Sequence, residues 1–233
     1  MKRFYDHVGT QESEGGFQVT LDGRGIKTVR GANQIVPTAA LAQSLASEWD
    51  FEGEEIDASA FPLRDMADYT IDVVAPARAD LTANLVAYAD TDTLLYRADP
   101  DEPLYARQQD LWEPIVIAFE ARERVTLKRV SGIIHAMQDK DALTKLKARL
   151  STLDPFTLAG LEAMTTLAAS LTAALSAIEA DAEPLALWQA ASLEEEWQAD
   201  QWGRDGEAEE RRTKRQNDFL RAHEFVRLAR ETA

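Results

Sequence analysis

Gly15-Gly16-Phe17-Gln18-Val19-Thr20-Leu21-Asp22-Gly23-Arg24-Gly25-Ile26-Lys27-Thr28-Val29 decides how this chain begins to fold. Phe17, Val19 and Leu21 alternate with polar residues, the period of a strand with one buried face. A double glycine precedes the run and Asp22-Gly23 follows it. Asp-Gly after an alternating run is the signature of a tight hairpin, so Gly23 is read as a structural turn residue. Ile26 to Val29 is the expected returning strand. A second turn at Arg30-Gly31-Ala32-Asn33 leads into Gln34 to Val36. Lys2 to Val36 is therefore expected to be β-structure.

Pro37-Thr38 then opens a helix, since Pro suits the first turn and Thr can cap. Leu41, Leu45 and Trp49 recur at i, i+4, i+8 and make one apolar stripe, with Gly53 as the expected stop. A sheet with a helix to cover it is an α+β unit. Ile56, Phe61, Leu63 and Met66 continue into a less regular link. The reading is an α+β fold: residues 1–73 form a small N-terminal β-rich domain, and residues 74–233 form a mainly helical, bundle-like domain. Trp49 is assigned to packing between the two.

Beyond Pro76 the pattern is mostly helical. Leu81, Leu85 and Tyr88 share a stripe; Asp99-Pro100-Asp101 breaks it and Pro103 starts the next helix. Leu104, Gln108, Leu111, Ile115 and Phe119 continue at helical spacing, although Pro114 should kink or break that helix. Val125 to Val130, with Ile133-Ile134, is rich in β-branched residues and suggests a short strand. Leu143, Leu146, Leu150 and Leu153 precede a break at Asp154-Pro155. Phe156 to about Ile178 then reads as one central helix, apolar nearly all round. Pro184 opens a helix in which Trp188, Ala191, Glu195, Ala199 and Trp202 share a face, with Trp197 opposite. Gly203 and Gly206 loosen or end it. A last helix starts near Glu207 with an acidic first turn, and Glu207–Arg211 and Glu210–Lys214 sit at favourable i, i+4 spacing.

Composition narrows the function classes. The chain has 233 residues, 45% of them apolar, which is enough for a sizeable core. Its 41 acids against 25 bases leave a formal charge of −16, so nucleic acid and anionic membranes would be repelled. It has no cysteine, hence no disulfide and no thiolate metal site. The start, Met1-Lys2-Arg3-Phe4-Tyr5, lacks the pattern of a signal or transit peptide, and the uncharged run Ala163 to Ile178 is too short to span a bilayer. A soluble cytoplasmic protein is expected.

The chemistry is sparse. Gly23-Arg24-Gly25-Ile26-Lys27-Thr28 fails as a phosphate loop, because Ile26 separates glycine from lysine and a hairpin surrounds it. His7, His135 and His223 lie scattered, none at metal-ligand spacing. No nucleophile elbow or dinucleotide fingerprint occurs, and no metal, cofactor or small-molecule substrate is expected. Asp90 and Asp92, flanking Thr91, could serve a small hydrolase as acid and base if their pKa values were split. Otherwise they end a helix or pair with Arg97, which is taken as structural. Glu195 stands out because it falls on an aromatic stripe. It is either paired with an arginine of a neighbouring helix or it faces a partner.

The chain resembles a known family: the assembly chaperones of the F-type ATP synthase that bind its alpha subunit, found in mitochondria and alphaproteobacteria. Lys2-Arg3-Phe4-Tyr5, Gly15-Gly16-Phe17, Leu21-Asp22-Gly23-Arg24, Lys27-Thr28, Val36-Pro37-Thr38 and Glu48-Trp49-Asp50 are similar to its N-terminal pattern. Tyr88-Ala89, Thr91-Asp92, Tyr96-Arg97, Arg107-Gln108, Trp112 and Pro114 match later blocks. The most specific piece is Glu195, Trp197-Gln198, Trp202-Gly203, Asp205 and Glu207-Ala208. Val29 stands where the family usually has proline, and Gly206 where alanine is common. The resemblance implies a non-enzymatic protein that holds the unassembled alpha subunit and shields its subunit interface. Glu195, Trp202, Asp205 and Glu207 are the residues assigned to partner binding.

Overall fold

A computed structural model describes residues 2–132 and 136–231. The chain divides into two compact units. The first gathers the residues up to Arg78 with Asp154–Gly160 and the residues from Glu224 onward; the second holds Ala79–Leu153 and Leu161–His223. The boundary expected after residue 73 falls short of Arg78, and the two later segments of the first unit have no local signal in the sequence. The fold is α+β, with the strands of the larger sheet near the N-terminus and helices dominating the rest.

In the first unit, strands β1 (Val8–Ser13), β2 (Gly16–Leu21), β3 (Arg24–Gly25) and β4 (Ile35–Val36) form one antiparallel sheet with β2 at its centre. Thr10 faces Val19, Leu21 faces Arg24 and Phe17 faces Val36. Asp22 and Gly23 both take positive φ, 49° and 75°, as the mirror-image hairpin turn demands. The Asp22 carboxylate also accepts the Asp6 and His7 amides, at 3.1 and 2.8 Å, which holds its pKa below the usual value. The returning strand is shorter than expected. Past Gly25, Ile26 N–H donates to the Val19 carbonyl at 3.0 Å, and the Ile26 carbonyl accepts from the Gln34 backbone amide at 3.2 Å and the Gln18 side-chain amide at 2.7 Å. The chain then turns at Gly31, where Thr28 N–H donates to Ala32.

Helix α1 (Ala39–Trp49) packs against β1 and β2 and buries Leu41, Leu45 and Trp49. Thr38 caps it, accepting from Leu41 N–H at 3.1 Å. It stops at Asp50, before Gly53. The expected loose link is instead helix α2 (Pro62–Tyr69), continued by a π-helical turn at Thr70–Val74. Its N-cap, Phe61, offers no capping oxygen; Glu48 of α1 accepts the Leu63 and Arg64 amides at 2.7 and 2.9 Å. A cap supplied from another helix is invisible to a local reading. Asp68 and Asp72 in turn anchor the Thr28–Arg30 turn, accepting from Val29 N–H, Thr28 Oγ1 and Arg30 N–H. Trp49, assigned to packing between domains, lies in the interior of this unit, its ring 5.9 Å from Tyr5 and 4.6 Å from Phe61. Phe225 joins the same core and stacks on Phe156, and Thr38 Oγ1 donates to the Leu228 carbonyl at 2.6 Å. These contacts recruit the two late segments.

The second unit contains helices α3 (Arg78–Tyr88, from Ala79), α4 (Pro103–Glu123), α5 (Lys140–Ser151), α6 (Pro155–Ala168, from Leu161), α7 (Leu171–Ala177), α8 (Pro184–Ala191), α9 (Leu193–Trp202) and α10 (Gly206–Arg230, up to His223). Strands β5 (Tyr96–Arg97) and β6 (Val130–Ser131) pair in parallel. Of the strand expected over Val125–Val130 only Val130 is in β6, joined by Ser131; Ile133 and Ile134, and with them His135, lie outside the described residues. Helix α4 runs through Pro114 without a break, with that proline exposed. Its buried face is Gln108, Trp112, Val116 and Phe119, so Leu111 of the expected stripe faces out.

The single apolar helix expected from Phe156 to Ile178 is two helices. Ala169 takes φ +47° and Ser170 caps α7. Asp92, fully buried, holds the break open: it accepts from Ser170 Oγ at 2.6 Å, Thr172 N–H at 2.8 Å and Leu94 N–H at 3.0 Å. Thr93 donates its N–H and its hydroxyl to the Ala169 carbonyl, each at 3.0 Å. Asp92→Ala would leave these buried donors without an acceptor. We expect a loss of about 3–5 kcal/mol, read as a lower urea midpoint, with Asp92→Asn retaining part of it.

Candidate functional site

The aromatic stripe Trp188-to-Trp202 does not exist as one face, because the helix breaks at Ser192 between α8 and α9. Trp188 is buried against Phe219, ring centroids 5.5 Å apart, whereas Trp202 is 81% exposed at the end of α9. Helix α4 fixes both helices from below. Trp112 Nε1 donates to the Ala190 carbonyl at 2.7 Å, and the buried Gln108 amide donates to Glu194 at 2.8 Å. Burial raises the Glu194 pKa, with the Gln108 hydrogen bond pulling the other way.

Gly203, at φ +94°, ends α9, and Asp205 opens α10 by accepting the Ala208 amide at 2.9 Å. The two helices are joined by three arginines. Arg204 reaches Glu196 at 2.8 Å, Asp200 at 3.0 Å and Glu209 at 3.3 Å, and these acids raise its pKa. Arg212 reaches Glu196 at 3.0 Å and Glu209 at 2.5 Å. Arg215 pairs with Glu195 at 2.7 Å, donates to the Leu167 carbonyl at 2.8 Å and lies 5.4 Å over the Trp188 ring. Glu195 therefore has the arginine partner on a neighbouring helix, yet its side chain remains 45% exposed. It is paired and still open to solvent.

These elements frame an open groove of about 410 Å³, with Glu195, Trp202, Asp205, Glu209, Arg212 and Arg215 along it. Glu207 lies outside that lining, pairing at 3.5 Å with Arg211, which is part of it. Lys214 reaches Asp218 at 2.8 Å rather than the expected Glu210. The acids and the tryptophan are legible in the sequence, whereas Arg204, Arg212 and Arg215 are not among its candidate residues. Their signal was an i, i+3 pair of arginines on α10 and a lone arginine in the turn, opposite three consecutive acids.

Arg97, Asp90 and Asp92 sit elsewhere in the second unit. Arg97 is buried and donates to Leu94 and Gln108 carbonyls and to Glu113 at 2.9 Å. Glu113 also binds Arg129 at 2.8 Å, and Arg129 reaches Glu120. Burial lowers the Arg97 pKa against the pull of Glu113; for Glu113, burial is outweighed by the two arginines, and its pKa falls. Asp90 accepts from Gln138 N–H at 2.8 Å. Burial pushes the Asp92 pKa up, opposed by its hydrogen bonds from Ser170, Thr172 and Leu94. Both Asp92 oxygens are engaged and closed from solvent, so the hydrolase reading lacks an accessible acid there. Among the described residues no three His, Asp or Glu side chains are placed to hold a metal ion, and no helix is long and apolar enough to cross a membrane.

Residues 2–120 match the family model described as ATP12 chaperone protein. The mitochondrial protein atp12 of Schizosaccharomyces pombe is 25% identical over 214 residues, covering 87% of this chain and 74% of the relative. The crystal structure of Atp12 from Paracoccus denitrificans superposes with a TM-score of 0.94 at 36% identity, covering 98% of both chains; an aspartate-to-lysine variant of that protein gives the same figures. Atu1473 of Agrobacterium tumefaciens, a suspected chaperone, gives a TM-score of 0.90 at 33% identity over 97% of this chain and 84% of its own.

The exposure of the groove residues sets their stability effects. Glu195→Ala should cost no more than about 1 kcal/mol, as for an exposed ion pair. Trp202→Ala should change stability by less than about 0.5 kcal/mol. Urea unfolding of both variants checks this. A loss of several kcal/mol at either position would make it a structural residue.

Proposed function

The chain belongs to the ATP12 chaperone family, and from that premise we propose that it holds the unassembled alpha subunit of the F-type ATP synthase. It shields the alpha surface that later meets the beta subunit until the catalytic head assembles. It works in the cytoplasm as a non-enzymatic holding protein. The partner-binding surface is the groove between α9 and α10, with Trp202 as aromatic anchor and Glu195, Asp205 and Glu207 as the charged rim.

The observation that carries this reading is Trp202. A tryptophan 81% exposed beside a groove is the kind of large, rigid contact that dominates protein interfaces. Glu195 and Glu196 are oriented by arginines, so little of their side-chain freedom would be lost on binding. The net charge of −16 keeps copies of the chain apart while the groove stays open. The resemblance supplies the alpha subunit as client. A hydrolase centred on Asp90 and Asp92 is disfavoured by the engagement of both Asp92 oxygens.

The test is capture from soluble extract of the source cell by tagged protein. Free alpha subunit, without beta and gamma, is the expected catch. Glu195→Lys and Trp202→Ala should each weaken capture at least about tenfold while the urea midpoint stays put, as expected of an interface anchor. Recovery of the complete enzyme would indicate a permanent subunit instead. Recovery of neither would remove the proposed client.

A further inference from the structure

The first unit holds a second concavity, remote in sequence from α9 and α10. It measures about 460 Å³ and is lined by Phe4, Arg24, Ile26, Lys27, Trp49 and Arg64 together with neighbouring hairpin residues. Its charge runs against that of the whole chain: three cations line it against one acid, Asp22, whose carboxylate is already engaged by the Asp6 and His7 amides. Arg64 is balanced by Asp65 and Asp68, at 3.3 and 3.4 Å. Arg24 and Lys27 are exposed and make no ion pair among the described residues. The other half of the lining is apolar, and Phe4 is 63% exposed.

Two buried donors on lining residues also lack acceptors. Trp49 is 7% exposed, yet its indole Nε1–H has no hydrogen-bond partner among the described residues, and neither has Arg64 Nε. A buried donor left unpaired costs free energy, and in a native fold it calls for an explanation. The Arg64 guanidinium lies 6.0 Å over the Trp49 ring, so both donors belong to one contact.

We propose that this pocket binds a short peptide segment of a protein client in which a carboxylate side chain is flanked by apolar side chains. The carboxylate meets Arg24 and Lys27, and the apolar neighbours cover Phe4, Ile26 and the edge of Trp49. An inorganic anion would use the cations and leave the apolar half uncovered, which is why the mixed lining favours a peptide. The site is a second grip on the client, and it rests on the chaperone reading only for the client's identity.

The experiment uses the full chain and no alpha subunit, so its outcome is independent of the capture test. The peptide acetyl-Ala-Phe-Glu-Leu-Ala-amide is titrated into 15N-labelled protein, alongside its Glu-to-Gln counterpart. Saturable shifts of the amides of Arg24 to Lys27 and of the Trp49 indole N–H are expected with the Glu peptide. The Gln peptide, and the Glu peptide on the Arg24→Glu, Lys27→Glu double variant, should each bind at least about tenfold more weakly. Both substitutions are on exposed side chains, and an unchanged urea midpoint confirms folding. Equal binding of the two peptides, retention of binding by the double variant, or no shifts at all would overturn the proposal. Full displacement of the Glu peptide by millimolar inorganic phosphate would also overturn it, in favour of a small-anion site.

Discussion

A single buried carboxylate sets the architecture of the helical unit. Asp92 sits on no helix itself, yet it caps a 3-10 turn on one side and the start of α7 on the other. An isolated carboxylate in the interior would cost several kcal/mol, so it persists only because donors surround it. Satisfying those donors requires the chain to break at Ala169, where an Ala-Ser sequence would otherwise continue the helix. The break ends α6 at Ala168, leaving the Leu167 carbonyl free to accept Arg215, and Arg215 in turn pairs with Glu195. A polar contact in the interior is thus linked, through one helix end, to the geometry of the surface groove.

The groove itself shows how a strongly acidic chain can keep an ordered acidic face. Like charges on adjacent turns repel, and α9 begins with three acids in succession. Glu194 is held by Gln108, and Arg204, Arg212 and Arg215 divide Glu195 and Glu196 among themselves. Individually such exposed pairs contribute little. Collectively they fix the acids in place while leaving them half exposed. Among the described residues the tryptophan at the end of α9 has no comparable ring partner, unlike Trp49 and Trp188, which pack on Phe61 and Phe219. That contrast separates a residue that stabilises the fold from one available to a partner.

Much of this was legible locally. The Asp22-Gly23 hairpin, the Thr38 cap with its Leu41, Leu45 and Trp49 stripe, the break at Asp154-Pro155, and the starts at Pro103 and Pro184 follow from short-range chemistry. The misreadings share one cause. Helix α2 has no local start signal because its capping oxygen comes from Glu48 on another helix. The run from Phe156 to Ile178 has an unbroken apolar pattern because the group that breaks it lies far away along the chain. The periodicity from Trp188 to Trp202 runs across Ser192 because a periodic pattern carries no sign of a turn that tertiary packing imposes. Trp49 packs within the first unit rather than between domains, against Tyr5 and Phe61.

The sequence by itself determined the α+β class, the hairpin, about half of the helix starts and the acids and tryptophan of the candidate surface, because each depends on neighbours within a few residues. It also carried the family resemblance. Tertiary structure alone decided which tryptophan is exposed, which arginines brace Glu195, and that residues from Glu224 onward join the first unit. The reason is physical: burial and ion pairing depend on distances between segments remote along the chain. Local periodicity assigns a residue to a face of its own helix, and the rest of the fold decides what covers that face.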